Sequence, residues 1–288
     1  MRPAGNKAFT LVELLVVIIV VGILATLVVP AVLTVLDKGK QAKCNKNVGG
    51  IIQGLKQYSA ATEEMPIVPV SKSGNRTNWD VAVGTNREIP PFRQPGDTTK
   101  PTDRPRNHSA NLWLLVRGGH VSAEAFICPG STTDKLGAYK KTSKKISEYW
   151  DFAAGNQISY GLQSPYGFDG SLSVITPTGV VLVADGSPHT DDSGKLKSSP
   201  GIVNWEGNMN DQDKRLRGNS PNHDSNGQNI GYHDGRVEWQ GYANVGKNGD
   251  NIYTASNKTA RIEEDSTNSW GTLSESVKNN QNDTMILP

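Results

Sequence analysis

Histidine and aspartate side chains in the C-terminal half of the chain could bind a metal ion or catalyse hydrolysis. Imidazole and carboxylate groups serve as metal ligands and as general acids or bases. The candidates are His189, His223 and His233, together with Asp185, Asp191, Asp192, Asp224 and Asp234. The same residue types also occupy turns, where Asp side chains hydrogen-bond the local backbone.

Sequence motifs that would favour an enzyme are absent. The chain contains no HExxH, no paired CxxC, no EF-hand loop and no GxSxG sequence. Aromatic residues make up only 7% of the chain, too few for a stripe that binds carbohydrate. We therefore expect no catalytic residue, no metal ligand and no cofactor, and we do not expect an enzyme. An anchored hydrolase that uses His223 and the neighbouring aspartates is the least favoured alternative.

The two cysteines, Cys44 and Cys128, could form a disulfide. An even number fits a disulfide if this part of the chain is exported, although two cysteines do not make a disulfide scaffold. Two free or buried thiols are the alternative, and the sequence leaves both open.

The composition of the 288-residue chain differs strongly between its two ends. The mean hydropathy is −0.48, yet the N-terminal segment is intensely apolar. The remainder is rich in Gly, Asn, Asp and Ser and is long enough for one substantial domain or two small ones. A net charge of +2 provides no strong field toward nucleic acid, so no nucleic-acid partner is predicted.

A run of 23 residues without a charge extends from Leu14 to Leu36. As a helix it would be roughly 35 Å long, which is enough to cross a hydrocarbon core of about 30 Å. The run is too long for a signal peptide, whose apolar part has about 7–15 residues. The sequence before Cys44 does not fit a lipoprotein, which requires small residues there. An ordinary signal anchor fits the length but leaves Glu13 unexplained.

Glu13 places a carboxylate against this apolar run. A charged side chain at the centre of a membrane helix costs about 2.5–3.5 kcal/mol on insertion scales, so it is retained where it has a partner. The surrounding sequence, KAFTLVELLVV, resembles the class III signal of type IV prepilins and type II secretion pseudopilins. That family has a short basic leader, a small residue that is usually Gly, and Phe-Thr-Leu-Ile-Glu-Leu before an apolar helix.

The resemblance implies how the N-terminus is processed. Prepilin peptidase would cut between Ala8 and Phe9, and Phe9 would then be N-methylated. Glu13 would become the fifth mature residue, where the family has its glutamate. Gly22 and Pro30 fall where pilins commonly have Gly and Pro. Ala8 departs from the usual Gly, which leaves open whether cleavage is slowed.

The resemblance also implies a role for Glu13 in assembly. A free α-amine has a pKa of about 7.7–8.0 and is largely cationic near pH 7, and a cation at a helix N-terminus opposes the helix dipole. Glu13 of one subunit would neutralise the amine of Phe9 on the next. The alternative is that Glu13 only caps the start of its own helix. Pro30 removes one helix hydrogen bond and should bend the helix.

A location and partners follow from the same resemblance. The protein would cross the inner membrane once, with its head in the periplasm, and would then be part of a periplasmic or surface filament. Its partners would be prepilin peptidase, other pilin subunits and the inner-membrane assembly machinery. Some pseudopilins bind calcium in head loops, and the oxygen-rich segments 185–192 and 208–213 are where this chain could do so.

An apolar stripe follows the uncharged run. It consists of Cys44, Val48, Ile51, Ile52, Leu55 and Tyr58, whose spacing suits one face of a helix. We predict one helix over residues 9–62, whose second half packs on a sheet. The predicted parts are a leader (1–8), a transmembrane part of the helix (9–36), a head-packed part (37–62), a β-rich head (63–254) and a polar tail in loop conformation (255–288).

The head contains a second set of element predictions. Residues 66–110 are rich in proline and predict loops, and residues 111–116 predict a helix or a strand. Gly179 to Ala184 is a continuous apolar run, typical of a strand buried on both faces.

Residues 228–240 predict a hairpin, with Asp234-Gly235 as a two-residue turn. This register would pair Ile230 with Trp239 and Tyr232 with Val237. All four side chains would then lie on one face of the sheet.

The hairpin carries a second resemblance. His223 followed by Asp234-Gly235 is similar to the C-terminal element of bacterial pilin-like proteins named for a histidine, nine residues and Asp-Gly, although ten residues intervene here. The segments 44–58, 126–130 and 250–254 look like the same processing-associated group.

Together the two resemblances imply an α+β, pilin-like fold, in which a long N-terminal membrane-spanning helix packs on a mainly antiparallel sheet. The function they imply is that of a structural subunit, a pilin or pseudopilin, of a type IV pilus-like or type II secretion-like filament. The alternative is a membrane-anchored periplasmic or surface binding protein that does not polymerise.

Overall fold

The computed structural model describes residues 10–63, 65–66, 109–131, 151–152, 157–163, 179–188, 218–246, 252–253 and 286–287. The chain divides into two compact units, Met1–Lys40 and Gln41–Pro288. Several predictions concern residues outside the described ranges: the cleavage site at Ala8 and Phe9, most of the loop over 66–110, and most of the polar tail. The last two residues of that loop prediction, 109 and 110, are helical instead.

Helix α1 spans Leu11–Thr62, and its residues up to Lys40 belong to the first unit. From Leu11 to Leu36 the large apolar side chains are 46–79% exposed. The helix is long and apolar enough to cross a membrane, with a mean hydropathy of 3.1 over its most apolar 18 residues. The predicted span therefore lies within a single helix that includes Pro30.

The later turns of α1 bury the predicted apolar stripe within the second unit. At most 1% of each of five stripe residues is exposed: Cys44, Val48, Ile51, Ile52 and Leu55. They share one core cluster with the aromatic residues Trp113, Phe126 and Phe152. Because burying a large aliphatic side chain contributes about 1.5–3 kcal/mol, this stripe stabilises a helix segment that contains several glycines.

A second helix, α2, spans Ser109–Arg117. Residues 111–116, for which the sequence predicted either a helix or a strand, are therefore helical. Helix α2 ends at a Gly-Gly pair, where Gly119 adopts a φ of 72°. This left-handed conformation is readily available to glycine because glycine has no Cβ. A short 3-10 helix, Ala123–Phe126, follows and leads to Cys128.

Within the described residues, the sheet of the head contains five strands: β1 (Tyr160–Gln163), β2 (Val181–Asp185), β3 (Gln228–Tyr232), β4 (Val237–Gln240) and β5 (Ile286–Leu287). Their order is β4-β3-β2-β1-β5, and all neighbours are antiparallel. All residues of the central strand β2 are buried, as the apolar run predicted. The α+β fold class, with a long apolar N-terminal helix and an antiparallel sheet in a pilin-like arrangement, is confirmed.

The predicted register of the hairpin is wrong by one residue. Ile230 pairs with Glu238 and Gly231 pairs with Val237, whereas the prediction paired Ile230 with Trp239. Tyr232 N donates to Arg236 O at 2.9 Å, which continues the pairing one residue beyond β4 and leaves a loop of three residues, 233–235, rather than two. Gly235, at the third position of this loop, adopts a φ of 99°. Such a loop, with a left-handed glycine last, is the next commonest hairpin connection after the two-residue turns.

The shifted register also changes which side chains share a face. Ile230 and Tyr232 belong to a small core cluster with Ile252 and Tyr253. Val237 instead packs with the cluster that contains the stripe of α1. The prediction that these hairpin residues all lie on one face is therefore wrong.

Gly231 fixes where β3 meets α1. A Cβ atom at this position would lie 2.2 Å from Ile52 Cδ1 and 2.8 Å from Val48 Cγ1. The helix therefore approaches the sheet at the one residue of β3 without a side chain. With β3 held there, a shift of β4 by one residue would place Glu238 instead of Val237 opposite Gly231, on the face that packs against α1.

The C-terminal end of the tail differs from its prediction. Ile286 and Leu287 form β5 and pair with Gln163 and Leu162 of β1. The loop prediction over 255–288 is thus wrong for these two residues.

Candidate functional site

The start of α1 carries the first candidate site. Thr10 donates from its backbone N and from its hydroxyl to Glu13 Oε2, at 2.8 Å in both cases. The backbone N of Glu13 in turn donates to the Thr10 hydroxyl at 3.3 Å. This reciprocal arrangement is a capping box, in which Thr10 is the N-cap residue and Glu13 is the third helical residue. In the single chain, Glu13 therefore caps its own helix.

The second candidate site lies in the head and is built around a disulfide between Cys44 and Cys128. Their Cα atoms are 5.4 Å apart, and both residues are at most 1% exposed. The bond joins α1 to the loop that follows the 3-10 helix, across 84 positions of sequence. In the chain-entropy account, closing a loop of this length stabilises the folded state by about 4–5 kcal/mol.

His223 lies directly beside this disulfide. Its Nε2 atom is 3.3 Å from Cys128 Sγ and 4.0 Å from Asp185 Oδ2. Its side chain is 7% exposed, and the ring of Trp239 meets it edge-on with centroids 5.5 Å apart. A Cβ at Gly130 would fall 2.5 Å from His223 Nδ1, so the loop can approach the imidazole only because residue 130 is glycine.

Asp185, at the end of β2, is fully buried and accepts three hydrogen bonds. Asn229 donates to Oδ2 from its backbone at 2.7 Å and from its side chain at 3.1 Å, and Asn222 donates to Oδ1 at 3.1 Å. Burial raises the pKa of the Asp185 carboxyl, while the hydrogen bonds from Asn229 and the nearby His223 oppose part of that rise.

Backbone contacts connect the surrounding segments to this group. Ser159 O accepts from the Asn222 side chain at 2.9 Å and from Gly186 N at 2.7 Å. Ser159 Oγ accepts from Cys128 N at 2.8 Å. Tyr253 donates its hydroxyl to Asp185 O at 2.7 Å, and burial raises the pKa of this phenol well above its usual range. The phenol therefore stays neutral and remains a donor.

We call Cys44, Cys128, Asp185 and His223 the cystine cluster. Of the two described histidines among those singled out in the sequence, His223 belongs to it and His233 does not. His233, Asp234 and Gly235 form the hairpin loop, where Lys56 of α1 donates to Asp234 O at 2.8 Å. His189, Asp191, Asp192 and the segment 208–213 lie outside the described residues.

The sequence did not indicate Ser159, Asn222, Asn229 or Tyr253 as parts of a site. A signal was present in the second resemblance, which covered residues 44–58, 126–130, 223 and 250–254 as separate segments. In the structure, three of these segments supply members of the cystine cluster, namely Cys44, Cys128 and His223. The fourth supplies Tyr253, which donates a hydrogen bond to Asp185 of the same cluster.

Comparison with known proteins identifies the N-terminal segment. Residues 4–29 match a family described as the prokaryotic N-terminal methylation motif. No curated protein and no solved structure matches the chain. The matched residues include Ala8, Phe9 and Glu13, so the chain carries a class III prepilin-type signal. Such a signal is similar to that of pilin and pseudopilin precursors, and it runs into a helix that is long and apolar enough to cross a membrane.

Proposed function

We propose that this chain is a non-enzymatic structural subunit of a type IV pilus-like or type II secretion-like filament. Prepilin peptidase cuts the precursor between Ala8 and Phe9, and Phe9 is then N-methylated. The observation that carries the proposal is the methylation motif at residues 4–29, which extends into the exposed apolar part of α1.

The exposed apolar side chains of α1 support both stages of this function. Leu11 to Leu36 present large apolar groups over the whole helix surface, and such surfaces mark membrane or protein contacts. Lipid covers them before assembly, and neighbouring helices cover them in the filament. Pro30, which should bend the helix, permits it to follow curved packing between subunits.

Glu13 has a different partner at each stage. Before assembly it occupies the capping box with Thr10. During assembly its carboxylate turns to the cationic amine of Phe9 on the neighbouring subunit, because a charged pair is favoured where water is excluded. The pair forms in only one axial register, so this exchange positions each subunit along the filament.

The head faces the periplasm in this proposal, and the anchor crosses the inner membrane once. The disulfide supports this side, because disulfides persist in oxidising compartments such as the bacterial periplasm.

Intact-mass measurement of protein purified from native membranes tests the processing step. We expect a mass that lacks residues 1–8 and carries one added methyl group. Ala8→Leu, which places a bulky residue before the cut, should leave the full-length chain, whereas Ala8→Gly should be processed at least as well as the native sequence. A native protein that retains Met1 would overturn the proposal.

A membrane-anchored binding protein that does not polymerise is the second candidate. The capping box favours it, because Thr10 gives Glu13 a partner without any neighbouring subunit. Cysteines introduced at Val16 and Val20 on the exposed anchor distinguish the two candidates. Oxidative crosslinking in membranes should give a ladder of oligomers for a filament subunit and at most dimers for a solitary anchor.

A further inference from the structure

All four side chains of the cystine cluster are of types that bind metal ions, once the two cysteines are reduced to thiolates. Two sulfurs, one imidazole nitrogen and one carboxylate oxygen all lie within 4.8 Å of one another. While the disulfide is formed, the sulfurs are not thiolates and bind metal weakly. We propose that the reduced head binds one zinc ion at this cluster, through Cys44, Cys128, His223 and Asp185.

The distances around His223 fit a tetrahedral zinc site. Zinc bonds of about 2.3 Å to sulfur and 2.0–2.2 Å to nitrogen or oxygen place neighbouring ligand atoms roughly 3.3–3.8 Å apart. His223 Nε2 is 3.3 Å from Cys128 Sγ and 4.0 Å from Asp185 Oδ2. The first distance fits, and the second must shorten by roughly 0.6 Å. The two sulfurs must also separate, which rotation of the cysteine side chains provides once the bond between them is broken.

The contacts around the cluster suit charged ligands. Gly130 N donates to Cys128 Sγ at 3.3 Å. A disulfide sulfur is only a weak acceptor, so this bond strengthens when Cys128 becomes a thiolate. Asn222 and Asn229 hold the Asp185 carboxylate in place, and such partners of the ligands orient a metal site.

The ligand set selects the type of metal. Two thiolates favour zinc over magnesium or calcium, which prefer oxygen ligands. Two thiolates and one carboxylate carry three negative charges, of which Zn²⁺ balances two, and the surrounding N–H donors stabilise the remainder.

Reduction of the disulfide precedes zinc binding. A phosphine reductant takes up oxygen from water and becomes its oxide, while the cystine gains two electrons and two protons and becomes two thiols. Zinc binding then releases both thiol protons to solvent. The imidazole presents the lone pair of Nε2 to the metal and carries its proton on Nδ1.

In physical terms, zinc replaces one crosslink with another. The disulfide and the metal each join α1 to the loop after the 3-10 helix. The reduced head therefore keeps its fold when zinc is present and loses much of its stability when zinc is removed.

The test uses the full chain in detergent. Oxidised and phosphine-reduced samples are incubated with zinc chloride, desalted and analysed for metal by mass spectrometry. We expect about one zinc per reduced chain and none per oxidised chain. Cobalt chloride, used as a spectroscopic probe, should give the thiolate charge-transfer and tetrahedral bands that Co²⁺ shows with sulfur ligands.

Variants test the ligand set. His223→Ala and Asp185→Ala should each weaken zinc binding by at least about tenfold. His233→Ala, in the hairpin loop, is the matched control and should bind zinc as the unaltered chain does. Circular dichroism with and without zinc monitors the fold of each reduced variant.

Three results would overturn the proposal. One is a reduced chain that keeps its native spectrum and takes up no zinc. Another is cobalt binding without thiolate bands, or with the same affinity after His223→Ala. The third is a reduced head that stays unfolded at saturating zinc, since the metal would then not replace the disulfide.

Discussion

The two units of the molecule treat apolar and polar groups in opposite ways. The first unit exposes a long apolar helix surface and has one carboxylate at its start. The second unit buries its apolar stripe and surrounds a buried carboxylate with donors. The apolar groups of the first unit therefore depend on a membrane or on other subunits for cover, whereas the apolar stripe and the buried carboxylate of the second find their partners within the chain.

This contrast shows where interactions with other molecules are to be expected. A large exposed apolar surface marks a site of assembly, whereas a packed interior with a hydrogen-bonded carboxylate supports the fold. Changes in the first unit should thus affect assembly without affecting the stability of the head. Changes in the second should do the reverse.

Glu13→Gln should have the largest effect, a near-complete loss of incorporation into filaments. Glutamine can still form a capping box, so helix start and membrane insertion should be retained while the negative charge is lost. Sheared filament fractions and membrane fractions are compared by immunoblot. Normal incorporation of Glu13→Gln would mean that capping alone explains the carboxylate, and the two units would no longer differ as argued.

Removal of the disulfide should have the second-largest effect. Replacing both Cys44 and Cys128 by serine should lower the free energy of unfolding of the head by about 2–5 kcal/mol. Denaturant titration of the full chain in detergent, followed by tryptophan fluorescence, measures this change. Membrane insertion should be unaffected, and an equal defect in insertion would contradict the separation of the two units.

Gly231→Ala tests how closely α1 packs against β3 in the head. The added methyl would collide with Ile52 and Val48, and overpacking of this kind typically costs about 1–3 kcal/mol. Gly50→Ala is the matched control, because Gly50 is exposed with nothing within 4 Å of its Cβ position. The control should stabilise α1 by about 0.8–1.0 kcal/mol, so the two glycines should shift the denaturation midpoint in opposite directions.

The smallest effect concerns the hairpin loop beside α1. Burial and the positive charge of Lys56 lower the pKa of His233. Lys56→Met should raise that pKa toward its usual value, whereas Lys46→Met, at an exposed position of the same helix, should not. Titration of the imidazole by NMR measures both.

The direction of the stability effect at His233 follows from linkage. Because its folded pKa lies below the unfolded value of about 6.5, protonation favours the unfolded state. The head should therefore lose stability as the pH falls from about 6.5 through the lowered pKa of His233. Lys56→Met should make this loss smaller, and an unchanged pH dependence would show that Lys56 does not affect the imidazole.

The sequence predicted those features in which neighbouring residues decide the outcome. The stripe from Cys44 to Leu55 was identified because residues three and four apart share a helix face. The central strand was identified because a run of apolar residues buries both of its faces. The processing signal was identified because all of its residues are consecutive.

Features that depend on distant contacts were not predicted. The hairpin register depends on which residue of β4 faces α1 opposite Gly231, and the turn alone allows a two-residue or a three-residue loop. The cystine cluster gathers residues from four separated segments. No local sequence pattern predicts the left-handed backbone at His223, where φ is 58°. This conformation accompanies the placement of the imidazole beside Cys128. The pairing of Ile286 and Leu287 with β1 is equally remote in sequence.

The position of the disulfide has a mechanical consequence. Cys44 is the first buried residue of α1, so a pull along the helix from its N-terminal end would reach the covalent bond before it reached the rest of the apolar stripe. The helix then cannot peel away from the sheet residue by residue, because the load passes directly to the loop at Cys128. A filament built from such subunits would resist extension in its oxidised form and yield at much lower force after reduction, which single-molecule stretching can measure.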